Sequence, residues 1–354
     1  MAKASHRPIK TGAMTPSGTE KTGFGHVPTA VTLADVAQAA GVGVSTASRV
    51  LRGHGSFSVK NRELVLQAAS RLGYVPNKIA GTLASTRSRL VGIVIPSFSN
   101  IVFPDVLRGA NNALHEAGFQ SVIGVTEYDP VREAEMVEAF LSWRPAGLML
   151  AGLEHSERTR SIIAGAGVRV VEMLDTDGDG LDIVVGFSNR AAGRLSARHL
   201  IARSYRRIGY VGHDLSRDLR AAKRVEGFKE ALGEAGLSVA AEVIMPVASS
   251  IEAGREGLMR ILEAEPALDA VYFSNDDMAI GGYFLCLSRL ITIPTQLALF
   301  GYNGLDVARL APQPLSTIRT PRVEIGATSA RMLCTGCASS VVTLDFELVE
   351  GATT

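Results

Sequence analysis

Cysteine is scarce in this chain, with three residues in 354, too few for a disulfide framework. Cys334 and Cys337 form a single C-x-x-C. A structural zinc takes four ligands and no second set stands nearby in sequence, so both cysteines read as plain helix residues. Long apolar runs are missing too. None approaches the roughly 20 residues of a membrane span, and no membrane partner is expected. The segment from Met1 to Ala30 lacks the apolar core of a secretory signal. It is built of Gly, Pro, Thr, Ser and Lys and reads as a disordered tail on a cytoplasmic protein. Neither common Gly-rich phosphate loop occurs, and neither do H-E-x-x-H, G-x-S-x-G or a carboxylate-rich metal run. No cofactor, no metal and no catalytic residue is therefore expected. The stretch after Val341 carries no leucine heptads, which favours a homodimer over a tetramer.

What is present is the composition of a globular protein, 46% hydrophobic and 20% charged. The net charge of +1 hides an asymmetry. Residues 1–89 hold 12 Lys+Arg against 3 Asp+Glu, or +9; the remaining 24 and 32 give −8, and +9 − 8 = +1. A basic head on an acidic body points to a polyanion as the partner of the head.

The head patterns as three short helices. Thr32 is placed as an N-cap, with Leu33, Val36, Ala37 and Ala40 at helical spacing and Gly41 as the left-handed stop. A second helix runs from about Val44 to Leu51 with Ala47, Val50 and Leu51 inward. Ser58 caps a third, with Leu64, Val65, Ala68, Ala69 and Leu72 apolar and Gly73 closing it. Two helices joined by a tight glycine turn and braced by a third make a helix-turn-helix. The outward face of the second helix is unusual: Ser45, Thr46, Ser48 and Arg49, with Val44 exposed at its start. Short side chains let such a helix lie deep in a major groove. There Ser and Thr reach bases or phosphates, Val44 meets a thymine methyl, and Arg49 holds guanine O6 and N7 together. Beyond it, "GYVPNKIAGTLAST" is broken at Pro76 and restarts at Asn77 as a helix too short to be stable alone.

"VTLADVAQAAGVGVSTASRVL" followed by "GYVPNKIAGTLAS" resembles the DNA-binding head and hinge of the LacI/GalR family of bacterial repressors. The resemblance implies DNA contacts by Thr32, Val44, Ser45, Thr46, Ser48 and Arg49, and by Asn77, Ala80 and Leu83 of the hinge. The residue matching Leu83 wedges into the minor groove at the central step, a known unstacking device. Gly43 stands where that family usually has a capping Ser or Thr, and Arg52 where Asn is common.

From Leu90 onward, short apolar runs alternate with amphipathic helices. Strands are predicted at 90–96, 121–125, 147–152, 168–174, 183–187, 207–212, 270–274 and 297–303, and helices at 103–117, 131–142, 189–203, 221–235 and 251–264. This alternation predicts an α/β body of parallel sheets in two lobes, with ligand bound in the cleft at the C-terminal strand ends. The body is similar to the periplasmic-binding-protein-like effector domain of the same family. Its closest likeness there is to the gluconate-repressor branch, through "IPSFSNIVFPDVLRG", "LSWRPAGLML", "VVEMLDTDGDGLDIVVGFSN", "FSNDDMAIG" and "STIRTPRVEIG". The expected organisation is a tail at 1–30, a helix-turn-helix at 31–75, a hinge and linker at 76–89 and an effector and dimerisation domain at 90–354. One lobe is expected at about 90–188 and 319–338, the other at 189–318 and 339–354.

The resemblance places Ser97, Asp175, Phe187, Arg224, Asp276 and Thr320 at the effector. Their chemistry agrees with a sugar or sugar acid such as gluconate. Asp276 follows a strand and could accept two hydroxyls, or it could serve the helix start behind it. A guanidinium such as Arg224 holds a carboxylate in a fork. Lys223, Arg217 and Arg220 add positive charge nearby. The expected partners are a pseudo-palindromic operator, bound by a two-fold dimer, and a small effector. A sugar-transport protein would not need the basic head. A doubly wound enzyme would need a nucleophile–base or metal constellation.

Overall fold

The computed structural model describes residues 31–52, 57–75 and 88–354. They fall in two compact units, one within residues 1–81 and one within 82–354.

The first unit contains α1 (Leu33–Ala39), α2 (Val44–Arg52) and α3 (Val59–Leu72). Thr32 opens α1 in a capping box: its hydroxyl accepts the Asp35 amide at 3.3 Å, and the Asp35 carboxylate accepts the Thr32 amide at 2.8 Å. Gly41 takes the left-handed φ of +64° that turns the chain into α2. Ser58 caps α3 and Gly73 ends it. Val36, Ala37, Ala47, Val50, Val65, Ala68 and Ala69 share one core. Leu64, expected inside, is instead exposed. Residues 65, 68, 69 and 72 already supply a full i, i+3, i+4, i+7 stripe, and Leu64 lies a turn of 100° away from it.

The second unit alternates strand and helix: β1 (Leu90–Ile95), α4 (Val102–Glu116), β2 (Gln120–Val125), α5 (Pro130–Ser142), β3 (Gly147–Ala151), α6 (Glu157–Ala166), β4 (Arg169–Met173) and β5 (Ile183–Gly186). It continues with α7 (Asn189–Ala202), β6 (Ile208–Gly212), α8 (Leu219–Glu234), β7 (Ala241–Ile244), α9 (Ile251–Ala264), β8 (Ala270–Phe273), α10 (Asp276–Arg289) and β9 (Ala298–Phe300). The last elements are α11 (Asp306–Arg309), β10 (Thr317–Arg319), α12 (Arg322–Thr335), β11 (Ser340–Thr343) and β12 (Glu347–Val349). Two sheets result. One has the order β11-β5-β4-β3-β1-β2 and the other β7-β6-β8-β9, both parallel throughout. β1 is buried at every residue after Leu90, as a strand covered on both faces must be.

The chain crosses between lobes late. β11 pairs with β5 in the first sheet, Ser340 opposite Ile183 and Thr343 opposite Gly186. This corrects the expected boundary, which gave everything after 338 to the second lobe. The terminal residues do return there: Leu299 donates to the Thr353 carbonyl at 2.9 Å, and the Thr353 hydroxyl donates to the Leu299 carbonyl at 2.7 Å. In the second lobe α7 and α8 approach at backbone contact. A Cβ at Gly193 would overlap the Arg224 carbonyl, and one at Gly227 the Arg190 carbonyl. This pair of glycines fixes where Arg224 stands.

Candidate functional site

In the head unit, Val44 is half exposed at 50% and opens α2. Ser45 and Arg49 are exposed, and Thr46 and Ser48 are half-buried beside the buried Ala47 and Val50. Arg49 has no ion-pair partner among the described residues. The amphipathic logic thus sends Ala47 and Val50 inward and leaves a face of small hydroxyls, one valine and one unpaired guanidinium. Such a face matches groove chemistry better than a solvated helix. The hinge residues Asn77, Ala80 and Leu83 lie outside the described residues.

In the body a small cavity, about 30 Å³, opens where the C-terminal strand ends of both lobes meet. Leu174 and Phe187 follow β4 and β5, Asn189 begins α7, and Asn275, Tyr302 and Asn303 follow β8 and β9. Asp218, Arg220 and Arg224 come from the start of α8, and Thr320 from the segment after β10. Phe187, Arg224 and Thr320 of the expected set are brought together here.

Arg224 is the charged centre of this cavity. It is buried, donates from Nη1 to Asn189 Oδ1 at 3.1 Å and from Nη2 to the Ser274 carbonyl at 3.4 Å, and lies 4.0 Å from the Tyr302 ring centroid. Among the described residues no carboxylate pairs with it. Its Nε, the Tyr302 hydroxyl and the Thr320 hydroxyl are all buried without a hydrogen-bond partner. Each such orphan costs on the order of 1–3 kcal/mol until a partner arrives. Arg220 has its Nε 3.5 Å from Asp218 Oδ1 and its guanidinium 5.1 Å from the Phe103 ring. Asp218 caps α8 and also meets His213 Nε2 at 3.3 Å, while His213 Nδ1 lies 2.8 Å from the Ser274 hydroxyl. Burial opposes ionisation of Asp218, but Arg220, the His213 contact and Arg224 outweigh it and hold the carboxyl far below its ordinary range. The lining therefore carries two guanidiniums against one carboxylate.

Three expected residues do not line the cavity. Asp276 is the main correction. Its Oδ1 accepts the Thr317 hydroxyl and its Oδ2 the Leu305 amide, both at 2.7 Å, so the carboxylate clamps the β9–α11 loop and β10 to the start of α10. Burial pushes its pKa up to about 6, against the pull of those two donors. Its neighbour Asn275 is an extended N-cap with φ −147° and ψ 159°, and successive side chains of extended backbone point to opposite sides. Asn275 accordingly faces the cavity, and its Oδ1 accepts from Asn303 Nδ2 at 3.1 Å. Asp175 is buried and consumed: it accepts Lys223 Nζ at 2.5 Å, the Asp177 amide at 2.9 Å and Asn189 Nδ2 at 3.3 Å. Lys223 is consumed with it, since Nζ also pairs with Glu154 and donates to the Asp177 carbonyl at 3.0 Å. Ser97 is buried and its hydroxyl accepts the Ser99 amide at 3.1 Å in a local turn.

Sequence reasoning missed Asn189, Asn275, Asn303, Asp218 and Tyr302. The available signal was position. Asn275 and Asn303 each follow a strand that ends at the cleft, and the neutral amides were passed over for the adjacent acid.

Residues 32–77 match the family model for bacterial regulatory proteins of the lacI family. Residues 88–343 match the model for periplasmic binding proteins and the sugar binding domain of the LacI family. The HTH-type transcriptional regulator GntR of Pseudomonas aeruginosa is 38% identical over 325 residues, 90% of this chain and 94% of the relative. The HTH-type transcriptional regulator IdnR of Escherichia coli is 34% identical over 304 residues, 86% of this chain and 91% of the relative. Among solved structures, a LacI-family transcriptional regulator from Silicibacter pomeroyi superposes with a TM-score of 0.88 at 43% identity, covering 91% of this chain and 99% of that one.

Proposed function

The chain belongs to the LacI family of bacterial regulators and is a DNA-binding transcriptional regulator, and on that premise we propose that it is a cytoplasmic repressor controlled by a sugar acid such as gluconate. Two copies form a homodimer whose paired α2 helices read a pseudo-palindromic operator. The effector binds in the cavity around Arg224 and shifts operator affinity by its preference for one arrangement of the lobes.

One observation carries the effector assignment: among the described residues Arg224 is buried with no carboxylate partner, beside four side-chain amides and two unpartnered hydroxyls. A buried unpaired guanidinium favours an anion, and a fork of N–H donors suits a carboxylate. The side-chain amides of Asn275 and Asn303, each a donor and an acceptor, suit the hydroxyls of a polyol chain, while that of Asn189 is engaged by Arg224, Asp175 and the Leu174 carbonyl. Among the described residues no helix is long and apolar enough to cross a membrane.

Calorimetry with gluconate, glucose and sorbitol tests the reading. Gluconate is expected to bind most tightly, and Arg224→Met to weaken it by on the order of 100-fold, about 3 kcal/mol for a charged hydrogen-bond set. Tighter binding of glucose or sorbitol than of gluconate would remove the sugar-acid assignment.

A further inference from the structure

The cavity around Arg224 is not the whole cleft. A larger one, about 420 Å³, lies outside it and is lined by both lobes. The two share the walls formed by Asp218 and Arg220, so a ligand chain leaving the inner cavity there would enter the outer one. Tyr128 lines the outer cavity, and its hydroxyl faces Asn100, which lines the inner one. Asp218 and Arg220 line the same outer cavity from the opposite lobe.

Tyr128 is held there by an unusual backbone. Glu127 and Tyr128 are consecutive non-glycine residues at φ 52° and φ 60°. Left-handed residues in succession are costly and persist only where their surroundings impose them. Here the segment is tied at three points. The Thr126 amide donates to the Ile95 carbonyl at 3.0 Å, and the Asp129 amide donates to the Thr126 carbonyl at 3.0 Å. From the second lobe, Arg217 Nη2 donates to the Glu127 carbonyl at 2.9 Å. An ordinary surface turn would not need a tie across the cleft.

We infer that Tyr128 is a specificity gate: it closes the inner cavity on the side of Asn100, Asp218 and Arg220, admits a six-carbon acid and excludes acids extended by a second sugar. This rests on the inner cavity being the effector site. The gate acts by steric exclusion of the longer ligand, with little gain for the shorter one, which is discrimination built against a competitor.

The test uses the full chain and its Tyr128→Ala and Tyr128→Phe variants, with calorimetry of gluconate and of lactobionate, which is gluconate carrying a galactosyl group. Glucose and maltose serve as the neutral short and long pair. The wild type should prefer gluconate to lactobionate by about 100-fold or more, Tyr128→Phe should keep most of that preference, and Tyr128→Ala should reduce it to about 10-fold or less. An unchanged short-to-long preference in Tyr128→Ala overturns the gate. So does loss of gluconate binding in that variant at an unchanged Tm, because a gate is dispensable for the short ligand. If only the neutral pair binds, the sugar-acid reading falls, and the glucose-to-maltose ratio decides the gate by the same criterion. If none of the four ligands binds the wild type, both fall.

Discussion

Asp276 changes its role once its surroundings are known. It is fully buried, its two oxygens are taken by Thr317 and Leu305, and its folded pKa of about 6 stands above the ordinary value of 3.8. A raised folded pKa means that the neutral form is the one folding favours. The contribution is therefore complete below pH 4 and is lost as pH rises through about 6, by about 3 kcal/mol for a shift of that size. Urea unfolding of the wild type and of Asp276→Asn at a series of pH values isolates this dependence, since other carboxylates cancel in the difference. The difference should change between about pH 4 and pH 7; a flat difference would mean that the carboxyl titrates alike folded and unfolded. The same residue shows how far side-chain roles were legible. Arg224, Phe187 and Thr320 line the cavity, and Asp276 and Asp175 do not, because a strand end fixes which residues lie near a cleft but not which of two neighbours faces it. In an extended N-cap a shift of one residue reverses the side, and that put Asn275 rather than Asp276 in the wall. Asp175 faces the wrong charge: Lys223, expected to meet a ligand, meets it instead.

The elements around the site were legible where they were long and periodic. The eight predicted strands of the body all occur, seven within a residue or two and β9 ending three residues early, because buried parallel strands are continuous apolar runs bounded by turns. β7 and β11 were missed, and both are edge strands with alternating exposure, AEVI and SVVT respectively, in place of an apolar run. β10 and β12, each of three residues, are too short to show a pattern. The α7–α8 pair is also invisible to periodicity, because its contact is made by glycines. At Gly193 an added Cβ would overlap the Arg224 carbonyl and crowd the Phe228 amide. Gly193→Ala should force the helices apart, lowering stability by roughly 1–3 kcal/mol and gluconate affinity with it, as Arg224 moves. Gly233, also in α8, has no atom within 4 Å of an added Cβ. Gly233→Ala should leave affinity unchanged and stabilise the helix by roughly 0.5–1 kcal/mol. Thermal melts and calorimetry of the two variants separate a packing contact from helix propensity. Equal behaviour would show that close approach does not position Arg224.

At the scale of the whole molecule the charge division of +9 and −8 separates the two jobs. A basic head that binds through phosphates releases counterions, so operator affinity should fall steeply with salt, while effector affinity in the acidic body should fall far less. The family assignment supplies the link between the two, and the geometry supplies the residue through which a ligand would act. The most direct test of that link is fluorescence anisotropy of the full chain on an operator duplex selected from random sequence, with and without gluconate. The account predicts that gluconate shifts operator affinity by about 10-fold or more, within the usual range of 5–150-fold for allosteric coupling. It further predicts that Arg224→Met abolishes the shift and leaves ligand-free operator affinity intact. A shift of equal size in Arg224→Met, or one produced equally by glucose, would contradict it.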